Sequence, residues 1–189
     1  MEKVRLGFAL CGSFCTFSRV MDVVRSLSET YDLIPIMSET AACTDTRFGK
    51  AAHFREILED YSGHEIIDSI VSAEPIGPKK LLDALVIAPC TGNTLAKLAN
   101  GVADSAVTLA AKAHLRNDRP LIIAVSTNDG LAANAASIGR LLARQNIYFV
   151  PFGQDDCRNK PDSLVARFEL IGDTVHAALK GEQLQPLLA

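Results

Sequence analysis

The chain has 189 residues, 48% hydrophobic and 22% charged, which is typical of a globular protein with one sizeable core. Its 19 Lys and Arg against 22 Asp and Glu give a net charge of -3, which argues against nucleic acid or an anionic membrane as partner. The apolar stretch from Val4 to Cys11 is too short for a signal peptide or membrane span, so we expect a cytoplasmic protein. Five cysteines without C-x-x-C spacing predict free, buried thiols and no metal site.

Short apolar runs alternate with longer stretches of helical period along the chain, the pattern of an α/β fold. Five runs have the composition of buried parallel strands, at 4–10, 31–37, 84–88, 121–125 and 147–150. Helices are predicted at about 14–29, 49–60, 92–116 in two pieces around Gly101, 130–145 and 162–180. Right-handed crossovers then give a Rossmann-like, doubly wound parallel sheet in three α/β/α layers. We expect one domain over 1–189, with 151–189 a C-terminal loop and helix packed on the sheet.

The loops beyond the carboxyl ends of the strands are where such sheets bind ligands. The first, Cys11-Gly-Ser-Phe14, is either a phosphate-binding helix start or a plain helix cap. The second, 38–46, is rich in hydroxyls and is either a polar turn or a further phosphate contact. The third, 88–104, presents backbone amides and the polar side chains of Thr91 and Asn93. Neither Gly-Lys-Ser/Thr nor G-x-G-x-x-G follows a strand, which argues against nucleotide hydrolysis and a standard nicotinamide site.

The third loop carries a resemblance to a known family. Pro89-Cys-Thr-Gly-Asn-Thr-Leu-Ala-Lys-Leu-Ala-Asn-Gly-Val-Ala-Asp104 resembles the Pro-Ala-Thr-Ala-Asn-Thr-x-x-Lys-x-Ala-x-Gly-x-Ala-Asp motif of the flavoprotein family that contains the flavin-dependent cysteine decarboxylases and the prenylated-flavin synthases. Ile36-Met-Ser-Glu-Thr-Ala41 is similar to that family's Val-Met-Thr-x-x-Ala element. The resemblance implies a homo-oligomer, a trimer or larger, and the cofactor FMN, held by Gly12, Ser13, Ser38, Pro89, Thr91, Asn93 and Thr94.

Several departures from the family pattern affect the expected chemistry. Where the cysteine decarboxylases have a catalytic His in a His-Ile-x-Leu element, this chain reads Glu74-Pro-Ile-Gly-Pro78. Their Pro-x-Met-Asn substrate motif becomes Val125-Ser-Thr-Asn128, which keeps Asn128 as a substrate-binding candidate. Cys90 and Gly92 replace two Ala residues of the motif, which leaves open whether FMN is held tightly, loosely or not at all.

A narrower resemblance, to the branch of B subunits of dipicolinate synthases, runs nearly from end to end. It is carried by segments that include Gly7-Phe-Ala-Leu-Cys-Gly-Ser-Phe-Cys-Thr-Phe17, Asp45-Thr-Arg-Phe-Gly49 and Val150-Pro-Phe-Gly-Gln-Asp-Asp156. This resemblance implies an oxidoreductase subunit in the mother cell of a sporulating bacterium. With a partner, the A subunit of dipicolinate synthase, which is expected to carry NAD(P), it would oxidise a dihydrodipicolinate-type intermediate to pyridine-2,6-dicarboxylate. The alternatives are an FMN-dependent decarboxylase and a non-catalytic assembly subunit.

A small dicarboxylate substrate requires cations and a proton acceptor. The cations that flank the strand-end loops are Arg47, Lys50, Arg55, Lys79, Lys80, Arg158 and Lys160. Of these, Arg47 and Arg158 suit a carboxylate best because a guanidinium binds it bidentately, the alternative for each being a solvated loop charge. Asp155 and Asp156 are general-base candidates, or else a turn-forming pair beside Gly153.

Overall fold

The computed structural model describes residues 3–188, and within them the chain forms seven strands and eight α-helices. The strands are β1 (Arg5–Leu10), β2 (Asp32–Met37), β3 (Ala84–Cys90), β4 (Leu121–Thr127), β5 (Ile147–Phe149), β6 (Phe152–Asp156) and β7 (Lys160–Ala166). The helices are α1 (Phe17–Thr30), α2 (Glu39–Cys43), α3 (Ala51–Ser62), α4 (Ile70–Ala73), α5 (Gly92–Ala99), α6 (Ala106–Leu115), α7 (Ala135–Leu142) and α8 (Ile171–Ala178). None of the helices in this range is long and apolar enough to cross a membrane.

The first five strands form a parallel sheet in the order β2-β1-β3-β4-β5. All seven residues of β3 are buried, because this central strand has neighbours in the sheet on both sides and helices above and below. Helix α1 covers the sheet with Phe17, Val20, Val24 and Leu27, side chains that recur at helical spacing. The predicted Rossmann-like sheet with helices on both faces is therefore confirmed.

The C-terminal part of the chain differs from the prediction. Residues predicted as the start of a helix at 162 instead form β7, which pairs antiparallel with β6, and α8 begins only at Ile171. Strand β7 also pairs with Ser126 and Thr127 at the end of β4. This pairing joins segments almost 40 residues apart, so a local sequence pattern does not predict it. The resulting β6–β7 hairpin adds an antiparallel extension beside the carboxyl ends of the parallel strands.

Candidate functional site

A cavity of about 790 Å³ opens at the carboxyl ends of β1, β3 and β4. This volume lies in the range of small-molecule and cofactor sites. Four chain segments supply most of its wall: 12–16 after β1, 91–93 after β3, 126–129 at the end of β4, and side chains of the β6–β7 hairpin. Three of these segments are predicted ligand loops, so the structure brings together positions that are distant in sequence.

The loop after β1 contributes Gly12 and Ser13 to the cavity wall. The Ser13 hydroxyl makes no helix-capping hydrogen bond and instead lies 2.8 Å from the Ser126 hydroxyl. The plain-cap interpretation of Ser13 is therefore wrong. A Cβ atom at position 12 would lie 3.3 Å from Thr40 Cγ2, so a glycine lets the first and second loops approach closely.

The second loop is less involved in the cavity than its hydroxyl content indicates. Ser38 accepts a hydrogen bond from the Ala41 backbone N–H at 3.2 Å and so caps α2, and it is not among the residues that line the cavity. Phe48, 46% exposed, does line it. The Arg47 guanidinium lies 4.8 Å from the centre of the Phe48 ring, outside the cavity wall.

The third loop places Thr91 and Asn93 on the cavity at the N-terminus of α5. The Thr91 hydroxyl accepts a hydrogen bond from the Thr94 backbone N–H at 3.3 Å, which caps the helix. Thr94 is buried, and its hydroxyl donates to Cys11 Sγ at 3.4 Å. Pro89 and Thr94 thus lie behind the wall, while Asn93 is exposed to the cavity.

The fourth loop carries Asn128, as predicted, and also Asp129, which was not among the predicted site residues. The Asp129 carboxylate accepts hydrogen bonds from the Thr127 hydroxyl at 2.5 Å and from Asn134 Nδ2 at 2.8 Å. Asn134 is buried, and its Oδ1 atom has no hydrogen-bond partner within the described chain. The Thr127-x-Asp129 spacing is a local signal for such a cluster, but only the fold places the cluster at the cavity.

The β6–β7 hairpin contributes Asp155, Lys160, Ser163 and Val165 to the cavity wall. Asp155 forms an ion pair with Lys160 at 3.2 Å. Asp156 points into the hairpin turn, where it accepts hydrogen bonds from the backbone N–H groups of Arg158 and Asn159, both at 3.1 Å. Hydrogen bonds from Asn159 hold the pKa of Asp156 below its ordinary value. Asp156 is therefore the turn-forming residue of the pair, and Asp155 faces the cavity.

Most of the chain matches a known family. The family model described as Flavoprotein matches residues 1–176. The chain belongs to the Flavoprotein family. Over 189 residues it is 48% identical to the B subunit of dipicolinate synthase from Bacillus subtilis (strain 168), in an alignment that covers 100% of this chain and 94% of that protein. The resemblance to the dipicolinate synthase B subunits is thus confirmed.

Two solved structures show the same fold. The crystal structure of the dipicolinate synthase B subunit from Bacillus halodurans C matches with a TM-score of 0.90 and 45% identity, over 100% of this chain and 98% of that one. The FMN-dependent cysteine decarboxylase SpaF matches with a TM-score of 0.68 and 21% identity, over 94% and 97% of the two chains. At that identity, the likeness to SpaF concerns the fold alone.

The structure explains why this Flavoprotein chain has Gly92 where the family motif has Ala. A Cβ atom there would lie 2.5 Å from Asn134 Nδ2, 2.5 Å from Thr127 Oγ1 and 2.8 Å from Asp129 Oδ1. All three distances are shorter than real Cβ contacts. The absence of a side chain at position 92 therefore allows the Asp129 cluster to pack against the start of α5.

The second replacement of a Flavoprotein-motif Ala, Cys90, is fully buried. Burial, with a contribution from the nearby Cys11, raises the pKa of Cys90 well above its ordinary value. Burial also raises the pKa of Cys11 to about 11. Both thiols are therefore protonated and unreactive at neutral pH. All five cysteines are free, but Cys15, Cys43 and Cys157 are exposed, so the prediction of burial is wrong for these three.

The cations of the cavity differ from those that the sequence pattern favoured. Of the seven predicted cations, Lys160 lines the cavity, while Arg47 and Arg158 do not. Arg158 is exposed in the hairpin turn, and Arg55 forms an ion pair with Asp68 at 2.7 Å. Arg19, which no motif marks, lines the cavity from the first turn of α1. Its position one helical turn after a predicted ligand loop is the signal that could have identified it.

Proposed function

We propose that this chain acts as the B subunit of a dipicolinate synthase. With a partner, the A subunit of that enzyme, it would oxidise a dihydrodipicolinate-type intermediate to pyridine-2,6-dicarboxylate. The observation that carries the proposal is the 48% identity to the Bacillus subtilis protein, which extends over the whole chain. That alignment includes the predicted loop residues that line one cavity at the strand ends, which are Gly12, Ser13, Thr91, Asn93 and Asn128.

FMN is the cofactor proposed for the cavity, and the residues present fit it. The volume of about 790 Å³ accommodates a ligand of that size. Gly12, Ser13, Thr91 and Asn93 line the wall, and the free N–H groups at the start of α5 suit an anionic or carbonyl oxygen. Ser38, Pro89 and Thr94 complete the proposed FMN set by holding the loops from behind. When bound, a flavin supplies a two-electron acceptor.

The side chains of the cavity suit proton transfer and orientation of the substrate. Asp155 and Asp129 are carboxylates on the cavity wall that can accept a proton from a ring carbon, and Asn128 can donate a hydrogen bond to a substrate oxygen. Asp156 is committed to the hairpin turn, so Asp155 is the stronger candidate of that pair. We further propose NAD(P) on the partner, a trimer or larger homo-oligomer, and a place in the mother-cell cytoplasm.

A decarboxylase of the cysteine decarboxylase type is the less supported function. The family's catalytic His is absent at 74–78, and no histidine lines the cavity in residues 3–188. His64 pairs with Asp32 at 2.8 Å, and His114 is buried against the carbonyl of Pro120. Without a histidine beside the ligand, proton transfer would have to use a carboxylate.

The test is reconstitution of the purified chain with the A subunit, with pyridine-2,6-dicarboxylate measured as product. We expect product only when both proteins are present, and at least tenfold less with Asn93→Ala. Asn100→Ala, at the opposite end of α5, is the matched control and should keep its activity. Full activity of Asn93→Ala and Thr91→Ala complexes would support an assembly role, and carbon dioxide release from a cysteinyl peptide by the chain alone would support a decarboxylase.

A further inference from the structure

Two side chains bring positive charge to the cavity, and they come from different elements. Arg19 reaches the wall from α1, and Lys160 reaches it from the β6–β7 hairpin. Within residues 3–188 no other Lys or Arg lines the cavity. A ligand with two separate negative groups would therefore meet one cation from the first half of the chain and one from the C-terminal extension.

Arg19 is held in place without being neutralised. Its guanidinium lies 5.3 Å from the centre of the Phe168 ring, and Phe168 is itself buried. A guanidinium over an aromatic face keeps its N–H groups free at the edge, where they can bind both oxygens of a carboxylate. In the described part of the chain no carboxylate lies within 4.0 Å of Arg19. Its charge is thus available to a ligand.

Lys160 has a partner that a ligand can replace. The pair with Asp155 spans 3.2 Å, with side chains 60% and 41% exposed, so it contributes little to stability. A substrate carboxylate can take the place of Asp155 while Asp155 returns to water or accepts a proton. The flexible stem of Lys160 lets its ammonium follow the ligand.

Apart from the two cations, Asp129 and Asp155, the cavity wall is neutral. The facing hydroxyls of Ser13 and Ser126 are neutral, as are the amides of Asn93 and Asn128. The remaining acid, Asp129, already accepts hydrogen bonds from Thr127 and Asn134. A rigid dianion therefore meets two cations, a set of neutral hydrogen-bonding groups, and two carboxylates that already have partners in the protein.

We propose that Arg19 and Lys160 each bind one carboxylate of a planar ring dicarboxylate of the pyridine-2,6-dicarboxylate class. This inference rests on the proposed function and assigns its substrate contacts to residues of this chain. It gives Arg19 and Lys160 the role that the sequence pattern favoured for Arg47 and Arg158, which lie outside the cavity wall. The cavity should therefore bind a dicarboxylate more tightly than a monocarboxylate, because a monocarboxylate can pair with only one of the two cations.

The test compares two ligands by calorimetric titration of the whole chain in metal-free buffer: pyridine-2,6-dicarboxylate and pyridine-2-carboxylate. Arg19→Gln should weaken binding of the dicarboxylate by about 10- to 100-fold, the effect of losing a charged hydrogen-bonding partner. Lys160→Gln should weaken it about 2- to 5-fold, because an exposed ammonium contributes less. In the double variant both ligands should still bind, with equal affinity, whereas a general loss of structure would abolish the binding of both.

Arg25→Gln and Lys180→Gln are the matched controls, since both side chains are exposed and outside the cavity. Wild-type affinity in Arg19→Gln and Lys160→Gln would overturn the inference, as would a loss confined to Arg47→Gln or Arg158→Gln. If the complex with the A subunit forms product but the chain binds no dicarboxylate, the inference fails and the proposed function stands. If the wild-type complex forms no product, the proposed function itself fails.

Discussion

Gly92→Ala restores the residue of the family motif, yet the structure predicts that it destabilises this chain. The backbone at Gly92 does not have a positive φ, so the only obstacle to a side chain is space. The new methyl group would lie 2.5 Å from two polar atoms and 2.8 Å from a third, all in the Asp129 cluster. Thr127 and Asn134 have short side chains that are hydrogen-bonded to Asp129. These side chains can move away from the new methyl group only if those hydrogen bonds break.

The expected cost combines three effects. Overpacking in a closed site costs about 1 to 3 kcal/mol, and each disrupted hydrogen bond to a carboxylate costs on the order of 1.5 kcal/mol. Replacing a helical glycine by alanine returns about 0.5 to 1 kcal/mol. The net loss is about 2 to 4 kcal/mol in the free energy of unfolding, which for a chain of this length lowers the melting temperature by roughly 5 to 15 °C.

Urea unfolding followed by circular dichroism measures this cost. Gly139→Ala is the matched control: it also lies in a helix, but no atom is within 4 Å of the position that its methyl group would occupy, so it should raise stability by about 0.5 to 1 kcal/mol. In an Asn134→Ala background, Gly92→Ala should cost less than it does alone, because one of the clashing groups is gone. Equal stability of Gly92→Ala and wild type would refute the steric account of this replacement.

Three further predictions concern titratable groups. Burial lowers the pKa of His114 to about 4, so the unfolded chain binds more protons than the folded chain as the pH falls below 6.5. The free energy of unfolding should therefore fall by about 1 kcal/mol from pH 6 to pH 5. Urea titrations of His114→Gln should lack this pH dependence. Partial burial raises the pKa of Asp83, but hydrogen bonds from Arg5 and the positive charges of Arg5 and Arg119 lower it by more. The pKa of Asp83 is therefore below its ordinary value. Asp83→Asn should therefore cost more stability at pH 7 than at pH 3, and an equal cost would contradict this. A thiol reagent should label Cys15, Cys43 and Cys157 in the native protein, and Cys11 and Cys90 only after unfolding; five native labels by mass spectrometry would show the buried pair to be accessible.

The parallel sheet was predictable from sequence because its signals are local. A strand such as β3, buried on both faces, is a continuous apolar run, and its end at a polar, helix-capping segment marks a ligand loop. Thr91, Asn93 and Asn128 were therefore identifiable as site candidates from the sequence, and the structure brings all three to one cavity.

The features that were missed depend on contacts between distant segments. Strand β7 is held by the end of β4, and the cluster around Asp129 depends on the space left at Gly92. Arg19 belongs to a helix whose apolar face was evident, but its own side chain is exposed, so periodicity gives it no role. Only the folded arrangement places Arg19 and Lys160 on the same cavity.

The visible absorption spectrum of the chain, after incubation with FMN and gel filtration, tests most directly whether the cavity is a flavin site. We predict that the wild-type protein keeps a flavin spectrum and that Asn100→Ala keeps it too, since Asn100 lies at the far end of α5. Asn93→Ala, altered on the cavity wall, should lose it. A colourless wild-type protein, or equal retention of flavin by Asn93→Ala, would contradict the placement of FMN in this cavity.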